Sequence, residues 1–163
     1  MVWTPDAAEI EDGTGKAAAV VYEAPATGIT WLNTRGKTSF SGASDALQEQ
    51  YAVEAVEEIQ DMLVIMGFEA PPTVATQSLL FPARGAHDSR GQLFDPDELP
   101  VPLLEAIRLA EEKKAAGTWM PHAADGDIKE ASADHASVKF RTSSTALSAN
   151  HPEIYRRLRR CLP

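Results

Sequence analysis

The 163-residue chain contains one cysteine, no long apolar run and few basic residues. Because Cys161 has no second cysteine to pair with, an internal disulfide and a thiolate metal cluster are excluded. No apolar stretch approaches the roughly 20 residues that a membrane-spanning helix needs. Residues 1–12 carry four acidic side chains and no basic region typical of a signal peptide. We therefore expect an intracellular protein without a membrane anchor or a secretion signal.

Charge is distributed unevenly along the chain. The 15 basic and 24 acidic residues give a formal net charge of −9. Residues 1–136 hold nine basic and 23 acidic side chains, whereas residues 137–163 hold six basic and one acidic side chain. An acidic body repels phosphate backbones at long range, so most of the surface is not expected to bind nucleic acid. Only the basic C-terminal segment is expected to attract an acidic partner.

Apolar residues at three- and four-residue steps predict an amphipathic helix from Ser44 to Met66. Ser44 is a favoured N-cap, and Gly67 suits the left-handed position that follows many helices. The periodic residues are Leu47, Tyr51, Ala55, Ile59, Met62 and Met66.

The opposite face of this predicted helix carries an acidic stripe without a lysine at helical spacing. Its simplest interpretation is a solvated face. The alternative is that it lines a passage for something negative or meets a basic partner. The stripe consists of Glu54, Glu57, Glu58 and Asp61.

A second helix is predicted from about Pro102 to Ala116, between proline at its entrance and Gly117 at its exit. Arg108 is expected to pair with Glu112 one turn later. A brief helix is also expected over residues 29–33, ending near Gly36. The residues expected to face the core from the second helix are Leu103, Leu104, Ile107 and Ala110.

Residues 69–100 contain many prolines and glycines and show no helical period, which predicts a long structured loop. Loops of this length inside compact domains are usually functional. The apolar side chains expected to pin the loop to the helices are Leu79, Leu80, Phe81, Leu93 and Phe94.

The C-terminal part predicts three further segments. Residues 128–130 and 137–141 alternate in the manner of two short strands, residues 142–150 are typical of a flexible linker, and residues 151–162 favour a basic helix. The predicted fold class is thus mainly α: a small helical bundle with a long structured loop, a β-hairpin arm and a C-terminal tail helix. Residues 1–119 form the helical core, and residues 120–163 hold the arm, the linker and the basic helix.

No motif supports catalysis. The string Gly13-Thr14-Gly15-Lys16 is similar to a phosphate-binding loop, but Ile10 and Ala17 stand where that motif needs glycine and serine or threonine. A glycine turn is the better interpretation. His122, Asp125 and Asp127 lie in a glycine-containing turn with no helix to hold them against a metal ion. We therefore expect no enzyme activity, no cofactor and no metal site.

The predicted C-terminal helix combines an apolar edge with arginines. Ile154 and Leu158 form this edge, and Tyr155 is the one aromatic residue in a basic setting. Such a helix is typical of peptide-like helices that dock into acidic grooves. A solvated terminal helix and a DNA-contacting tail are the alternatives.

The order of several motifs resembles the neck proteins of tailed bacteriophages, which are head-to-tail adaptor (connector) subunits. Many such sequences carry the label "DnaT-like single-stranded DNA-binding protein". The resemblance covers about residues 10 to 116 and extends weakly to the end. The motifs are residues 10–15 (IEDGTG), the Trp31 segment, the helix after Ser44, residues 80–85 (LFPARG), residues 88–93 (DSRGQL) and Leu99-Pro100.

The resemblance implies a mainly helical subunit that assembles as a dodecameric ring beneath the portal and extends the DNA channel toward the tail. It implies a structural virion protein of the neck that assembles in the host cytoplasm. The implied partners are other copies of the chain, the portal protein and the next neck or tail protein. Packaged DNA would pass through the lumen without specific binding. The alternative function is a single-stranded DNA-binding protein of phage replication.

Two sets of site residues follow from this interpretation. The acidic stripe is expected to line the channel, because a ring of negative charge lets DNA slide. The loop over residues 73–100 and the hairpin over residues 128–141 are expected to contact adjacent subunits or the next neck protein. The channel-lining residues are Glu54, Glu57, Glu58 and Asp61, and the portal-binding residues are Ile154, Tyr155, Arg156, Arg157, Leu158, Arg159 and Arg160.

Overall fold

Helices form the framework of the chain. The computed structural model describes residues 2–95, 97–119 and 150–162. These ranges contain isolated β-bridges but no strand. The predicted mainly α fold is therefore confirmed. The helices are α1 (Pro25–Asn33), α2 (Ser39–Gly42), α3 (Asp45–Ile65), α4 (Val101–Ala115) and α5 (Pro152–Leu158), followed by a 3₁₀ turn (Arg159–Cys161).

The predicted boundaries of α3 and α4 agree closely with the observed ones. Ser44 occupies the N-cap position of α3, and Gly67 follows the helix with φ of 94°, a conformation that costs glycine little. The brief helix predicted over residues 29–33 is confirmed but begins earlier, at Pro25. Proline is favoured there because the first helical turn leaves its amide positions unbonded.

The buried face of α3 is turned slightly from the predicted one. Gln48 is fully buried, whereas Leu47 is 41% exposed. The Gln48 side chain accepts a hydrogen bond from the Trp3 amide (3.1 Å) and donates one to the Ala43 carbonyl oxygen (3.1 Å). These bonds compensate for the desolvation of its polar atoms. A glutamine therefore takes the inward position that the apolar period assigned to Leu47.

α4 is the central helix and packs against α1, α2, α3 and α5. Residues 106–112 are all buried, including three charged side chains. The predicted inward residues Leu103, Ile107 and Ala110 are buried, and Leu104 is partly buried. Because neighbours surround α4, its polar side chains must find partners on other elements.

The predicted ion pair between Arg108 and Glu112 is wrong. Arg108 instead donates two hydrogen bonds to the Glu23 carboxylate, each 2.5 Å long. Glu112 accepts bonds from the backbone amides of Ser39 (3.1 Å) and Phe40 (2.9 Å) at the start of α2. Both side chains turn away from each other because α4 is buried between these elements. Each pairing thus ties α4 to a segment distant in sequence.

The long loop is confirmed between α3 and α4, and Phe81 anchors it. The Phe81 ring contacts Phe68 (centroids 4.8 Å apart) and Phe94 (6.4 Å apart). Its amide donates a hydrogen bond to the Tyr22 hydroxyl (3.0 Å). Leu93 is 62% exposed, so the prediction that it pins the loop is wrong. Successive residues of extended backbone point to opposite sides, and Phe94 takes the inward position.

α5 packs against α4 as part of the chain's own core. Ile154, Leu158 and Cys161 are fully buried, and Leu162 is 2% exposed. Fully burying one leucine or isoleucine contributes about 1.5–3 kcal/mol. The apolar edge of Ile154 and Leu158, which the sequence analysis offers for docking into an acidic groove, therefore packs on the chain's own α4.

The predicted hairpin and linker lie outside the part of the chain that the structure describes. The hairpin covers residues 128–141, and the linker covers residues 142–150, of which only Asn150 is described. Among the helices that the structure describes, none is long and apolar enough to cross a membrane.

Candidate functional site

Many basic side chains are neutralised within the chain. A lysine or arginine paired with a carboxylate adds little to the long-range attraction of an anionic ligand. The pairs among the described residues are Lys16 with Asp12 (2.8 Å), Arg108 with Glu23 (2.5 Å), Lys113 with Glu153 (3.0 Å), Lys114 with Glu54 (3.2 Å) and Glu58 (2.8 Å), and Arg157 with Glu105 (3.1 Å).

The acidic stripe of α3 divides into a bonded part and an exposed part. Lys114 of α4 pairs with Glu54 and Glu58, and the Trp119 ring nitrogen donates a hydrogen bond to Glu58 (2.6 Å). The hydrogen bond from Gln50 and then the pair with Lys114 hold the pKa of Glu54 below its usual value. The stripe has no lysine at helical spacing on its own helix, but a lysine of another helix pairs with these two residues.

The exposed part of the stripe consists of Glu57 and Asp61. Both line a shallow cleft of about 420 Å³ together with Val64 and Leu80. Val64 is 56% exposed. Of the four residues predicted to line a channel, Glu57 and Asp61 present their charge to solvent.

The predicted docking residues of the C-terminal helix divide in a similar way. Ile154 and Leu158 are buried against α4 and do not reach the surface. Arg157 donates a hydrogen bond to Glu105 (3.1 Å). Tyr155 is partly buried. The side chains that stay exposed without an ion pair to another described residue are Arg156, Arg159 and Arg160.

The long loop adds two exposed arginines that sequence analysis did not select. Arg90 and Arg160 line one cavity of about 430 Å³. Arg84 lines a second cavity of about 240 Å³ with His87 and Cys161. Arg90 and Arg160 are 70 positions apart in the sequence, so no periodic pattern relates them, and only the fold brings them together. We call the exposed set Arg84, Arg90, Arg156, Arg159 and Arg160 the basic corner.

A tight turn over residues 88–92 presents Arg90. One Asp88 carboxylate oxygen accepts hydrogen bonds from the amides of Arg90 (2.8 Å) and Gln92 (2.9 Å). These bonds, first that of Gln92, lower the pKa of Asp88. Gly91 has φ of 79°, which an aspartate-closed turn of this kind favours at a glycine.

The cavity that Arg90 and Arg160 share lies where the loop meets the first turn of α4. We call it the loop–helix cleft. Its walls combine apolar groups, of which Val101 is exposed, with charges of both signs, the composition of a site for a mixed ligand. The apolar lining is Phe94, Pro100, Val101 and Pro102, and the acidic lining is Asp88 and Glu98.

The glycine turn over residues 13–16 is occupied by the chain's own carboxylate. Glu11 accepts hydrogen bonds from the amides of Gly13 (3.0 Å), Gly15 (2.8 Å) and Lys16 (2.7 Å) and is 1% exposed. Converging amides of this kind bind anions such as phosphate. Because Glu11 already fills the turn, these amides are not presented to an external phosphate.

Aromatic side chains in the described part do not form an open base-stacking surface. Arg35 lies over the Trp31 ring at 3.7 Å, and Trp119 stacks on His151 with centroids 4.3 Å apart. Tyr22 is buried, and burial raises its pKa. Binding of unpaired bases usually relies on accessible aromatic faces beside basic residues.

The described residues hold no group of three histidine, cysteine or acidic side chains arranged for a metal ion. The weak candidates His122, Asp125 and Asp127 lie outside these ranges. Cys161 is buried, and burial raises the pKa of its thiol to about 12.

Glu111 is a buried acid beside the Arg108–Glu23 pair. It is 4% exposed, and its Oε2 atom has no hydrogen-bond partner. Burial and then the charge of Glu23 raise the pKa of Glu111 well above its usual value, although Arg108 opposes the shift. The fold therefore favours the neutral form of this carboxyl more than water does.

Comparison with known proteins gives one match. The sequence model of a protein family described as "Putative DnaT-like ssDNA binding protein" matches residues 7–162, nearly the whole chain. Neither a curated protein nor a solved structure matches the chain.

Proposed function

The chain belongs to this DnaT-like family, and on that premise we propose that it is a structural subunit of a head-to-tail adaptor ring in a tailed-phage virion. The subunit has no catalytic role. The observation that carries the proposal is the segregation of charge. Apart from Arg35, the exposed arginines of the described residues belong to the long loop and the C-terminal segment, while the chain as a whole carries −9.

The basic corner attaches the subunit to an acidic surface of the portal protein. Arg156, Arg159 and Arg160 supply this contact, because they are exposed and form no ion pair with another described residue. Charge-assisted hydrogen bonds to carboxylates are stronger than neutral ones and need such free guanidinium groups. Ile154 and Leu158 support the contact indirectly, by fixing α5 on α4.

The exposed part of the acidic stripe on α3 faces the DNA channel. Glu57 and Asp61 are the lining residues, since Glu54 and Glu58 are engaged by Lys114. Negative charge around a lumen repels the phosphate backbone, so packaged DNA passes without binding. The proposal therefore assigns the lining of the channel to Glu57 and Asp61 and not to Glu54 or Glu58.

The remaining contacts of the subunit are with its own copies and with the next neck or tail protein. The part of the loop over residues 73–100 that lies outside the basic corner and the loop–helix cleft provides these contacts, together with the segment over residues 128–141. Closed cyclic assembly requires each subunit to present two different complementary surfaces to its neighbours. The protein assembles in the host cytoplasm and resides in the neck of the virion.

Charge reversal of the corner tests the portal contact. Arg156→Glu, Arg159→Glu and Arg160→Glu, singly and together, should weaken capture by the portal ring encoded in the same genome, with the triple variant losing it. Arg35→Glu removes an exposed arginine outside the corner and is the matched control for the single reversals. Unchanged capture of the triple variant, with an unchanged melting temperature, would contradict the proposal.

A second candidate is single-stranded DNA binding, which the family description favours. The basic corner is the surface that such binding would use. Phosphate binding weakens as salt rises, with log K falling by about 0.7 per contacted phosphate for single strands. Tight binding of oligothymidylate that falls in this way, and that the triple variant loses, would establish this function in place of the adaptor.

A further inference from the structure

We propose that the loop–helix cleft binds an acidic, partly apolar peptide segment of the partner that the basic corner attracts. The inference rests on the proposed function for the identity of that partner, the portal protein. The inference adds a defined pocket to the proposed contact between the basic corner and the portal protein, which otherwise consists of surface charges.

The cleft carries cations from two distant parts of the chain. Arg90 is held at its edge by the turn over residues 88–92, and Arg160 comes from the 3₁₀ turn after α5. Both are exposed, and neither forms an ion pair with another described residue. Two guanidinium groups at one cavity of about 430 Å³ suit the carboxylates of an acidic segment.

The apolar wall of the cleft contains one strongly exposed residue, Val101, beside the half-buried Phe94 and Pro102 and the buried Pro100. Val101 is 59% exposed at the first position of α4, and Leu93 on the neighbouring turn is 62% exposed. Phe94, Pro100 and Pro102 complete the wall. Exposed apolar groups next to cations favour a ligand that carries both carboxylates and aliphatic side chains.

The acidic groups in the cleft favour a peptide over a nucleic acid. Asp88 and Glu98 line the same cavity as the arginines, and their charge opposes the phosphates of a nucleic acid and the carboxylates of a peptide alike. A peptide backbone, however, brings N–H donors that a carboxylate accepts. The sugar–phosphate backbone of single-stranded DNA has no such donor. The combination of arginines, carboxylates and apolar wall therefore fits a peptide.

Fluorescence anisotropy with the full-length chain tests the inference. The probe is a short labelled peptide in which leucines are interspersed with glutamates, and the reference peptide has glutamine in place of each glutamate. The Arg90→Ala/Arg160→Ala double variant should bind the acidic peptide at least about tenfold more weakly than the unaltered chain. Arg35→Ala, an exposed arginine outside both the basic corner and the cleft, should change affinity by less than about twofold.

Val101→Asp provides a second variant that should remain folded, because an acidic residue suits the N-terminus of α4. It should also weaken binding of the acidic peptide, by repulsion within the cleft. Equal affinity for the acidic and glutamine peptides, or equal loss in Arg35→Ala and the double variant, would overturn the inference. The inference would also be overturned if the chain bound oligothymidylate but not the acidic peptide, and if the Arg90→Ala/Arg160→Ala variant lost that binding. The assay contains no portal protein, so its failure is distinguishable from failure of portal capture.

Discussion

Lys114 Nζ lies 2.8 Å from Glu58 Oε1, so the cation that the acidic stripe of α3 lacks along its own helix is supplied by α4. The same ammonium group lies 3.2 Å from Glu54. The Lys114 side chain is only 7% exposed. Because opposite charges are paired here, Lys114, Glu54 and Glu58 contribute less to the electrostatic potential around the protein. Of the four stripe residues, Glu57 and Asp61 remain exposed to solvent.

Replacing Lys114 should destabilise the packing of α3 on α4. In Lys114→Met the carboxylates of Glu54 and Glu58 lose their cation, which should cost about 1–3 kcal/mol in the free energy of unfolding. Lys37→Met is the control, since Lys37 forms no ion pair with another described residue. Urea unfolding measures both variants. Equal midpoints would show that the pair contributes nothing to stability.

Gly13 should be intolerant of a side chain for two reasons. Its φ is 98°, and a Cβ atom there would lie 2.1 Å from the Asp97 carbonyl oxygen. Gly13→Ala should therefore cost about 3 kcal/mol or more, beyond the roughly 1 kcal/mol of a left-handed conformation alone.

Gly91→Ala is the matched control for that substitution. Gly91 also has a positive φ, of 79°, but open space surrounds the position of its missing Cβ. Thermal unfolding should show a clearly larger loss in Gly13→Ala than in Gly91→Ala. Equal losses would mean that the contact with Asp97 does not matter.

Glu111 should make stability fall as the pH rises. Because its folded-state pKa lies above its usual value of 4.5, the folded chain holds this proton more tightly than the unfolded chain. The associated stability is present below pH 4.5 and is lost as the pH rises toward the folded-state pKa. Glu111→Gln keeps a neutral group of the same shape and should gain stability over the unaltered chain with rising pH.

Denaturant unfolding of both proteins at several pH values between about 5 and 8 measures this difference. Other titrating groups are shared by the two proteins and cancel in the comparison. A difference that stays constant across this range would show that Glu111 is ionised in the fold.

Leu158 should be a core residue of the chain, although it lies on the basic C-terminal helix. Leu158→Ala removes a fully buried side chain and should cost about 2–5 kcal/mol. Arg156→Ala, on the exposed side of the same helix, should change stability by less than about 0.5 kcal/mol. A small effect of Leu158→Ala on thermal unfolding would indicate that α5 does not dock on α4.

Helix positions could be predicted because their signals are local. Ser44 precedes α3 and Gly67 follows it, and Pro100 and Gly117 flank α4 in the same way. Each of these residues lies within one turn of the helix end that it marks. Partners could not be predicted in the same way. Arg108 pairs with Glu23, 85 residues away, and helical spacing had suggested Glu112.

The same limit explains the candidate site. The apolar edge of Ile154 and Leu158 is visible in the sequence, but its period does not say whether the edge packs on the same chain or on another protein. The structure places it on α4. Likewise, nothing in the residues near Arg90 points to Arg160, because their shared cavity depends on how the long loop folds back onto α4.

The most direct test of the adaptor proposal is size-exclusion chromatography with light scattering on the unaltered chain mixed with the portal ring of the same genome. The account predicts a single complex whose mass exceeds that of the portal ring by several copies of the 17.6 kDa chain. Separate elution of the two proteins, together with salt-sensitive binding of oligothymidylate by the chain, would contradict it.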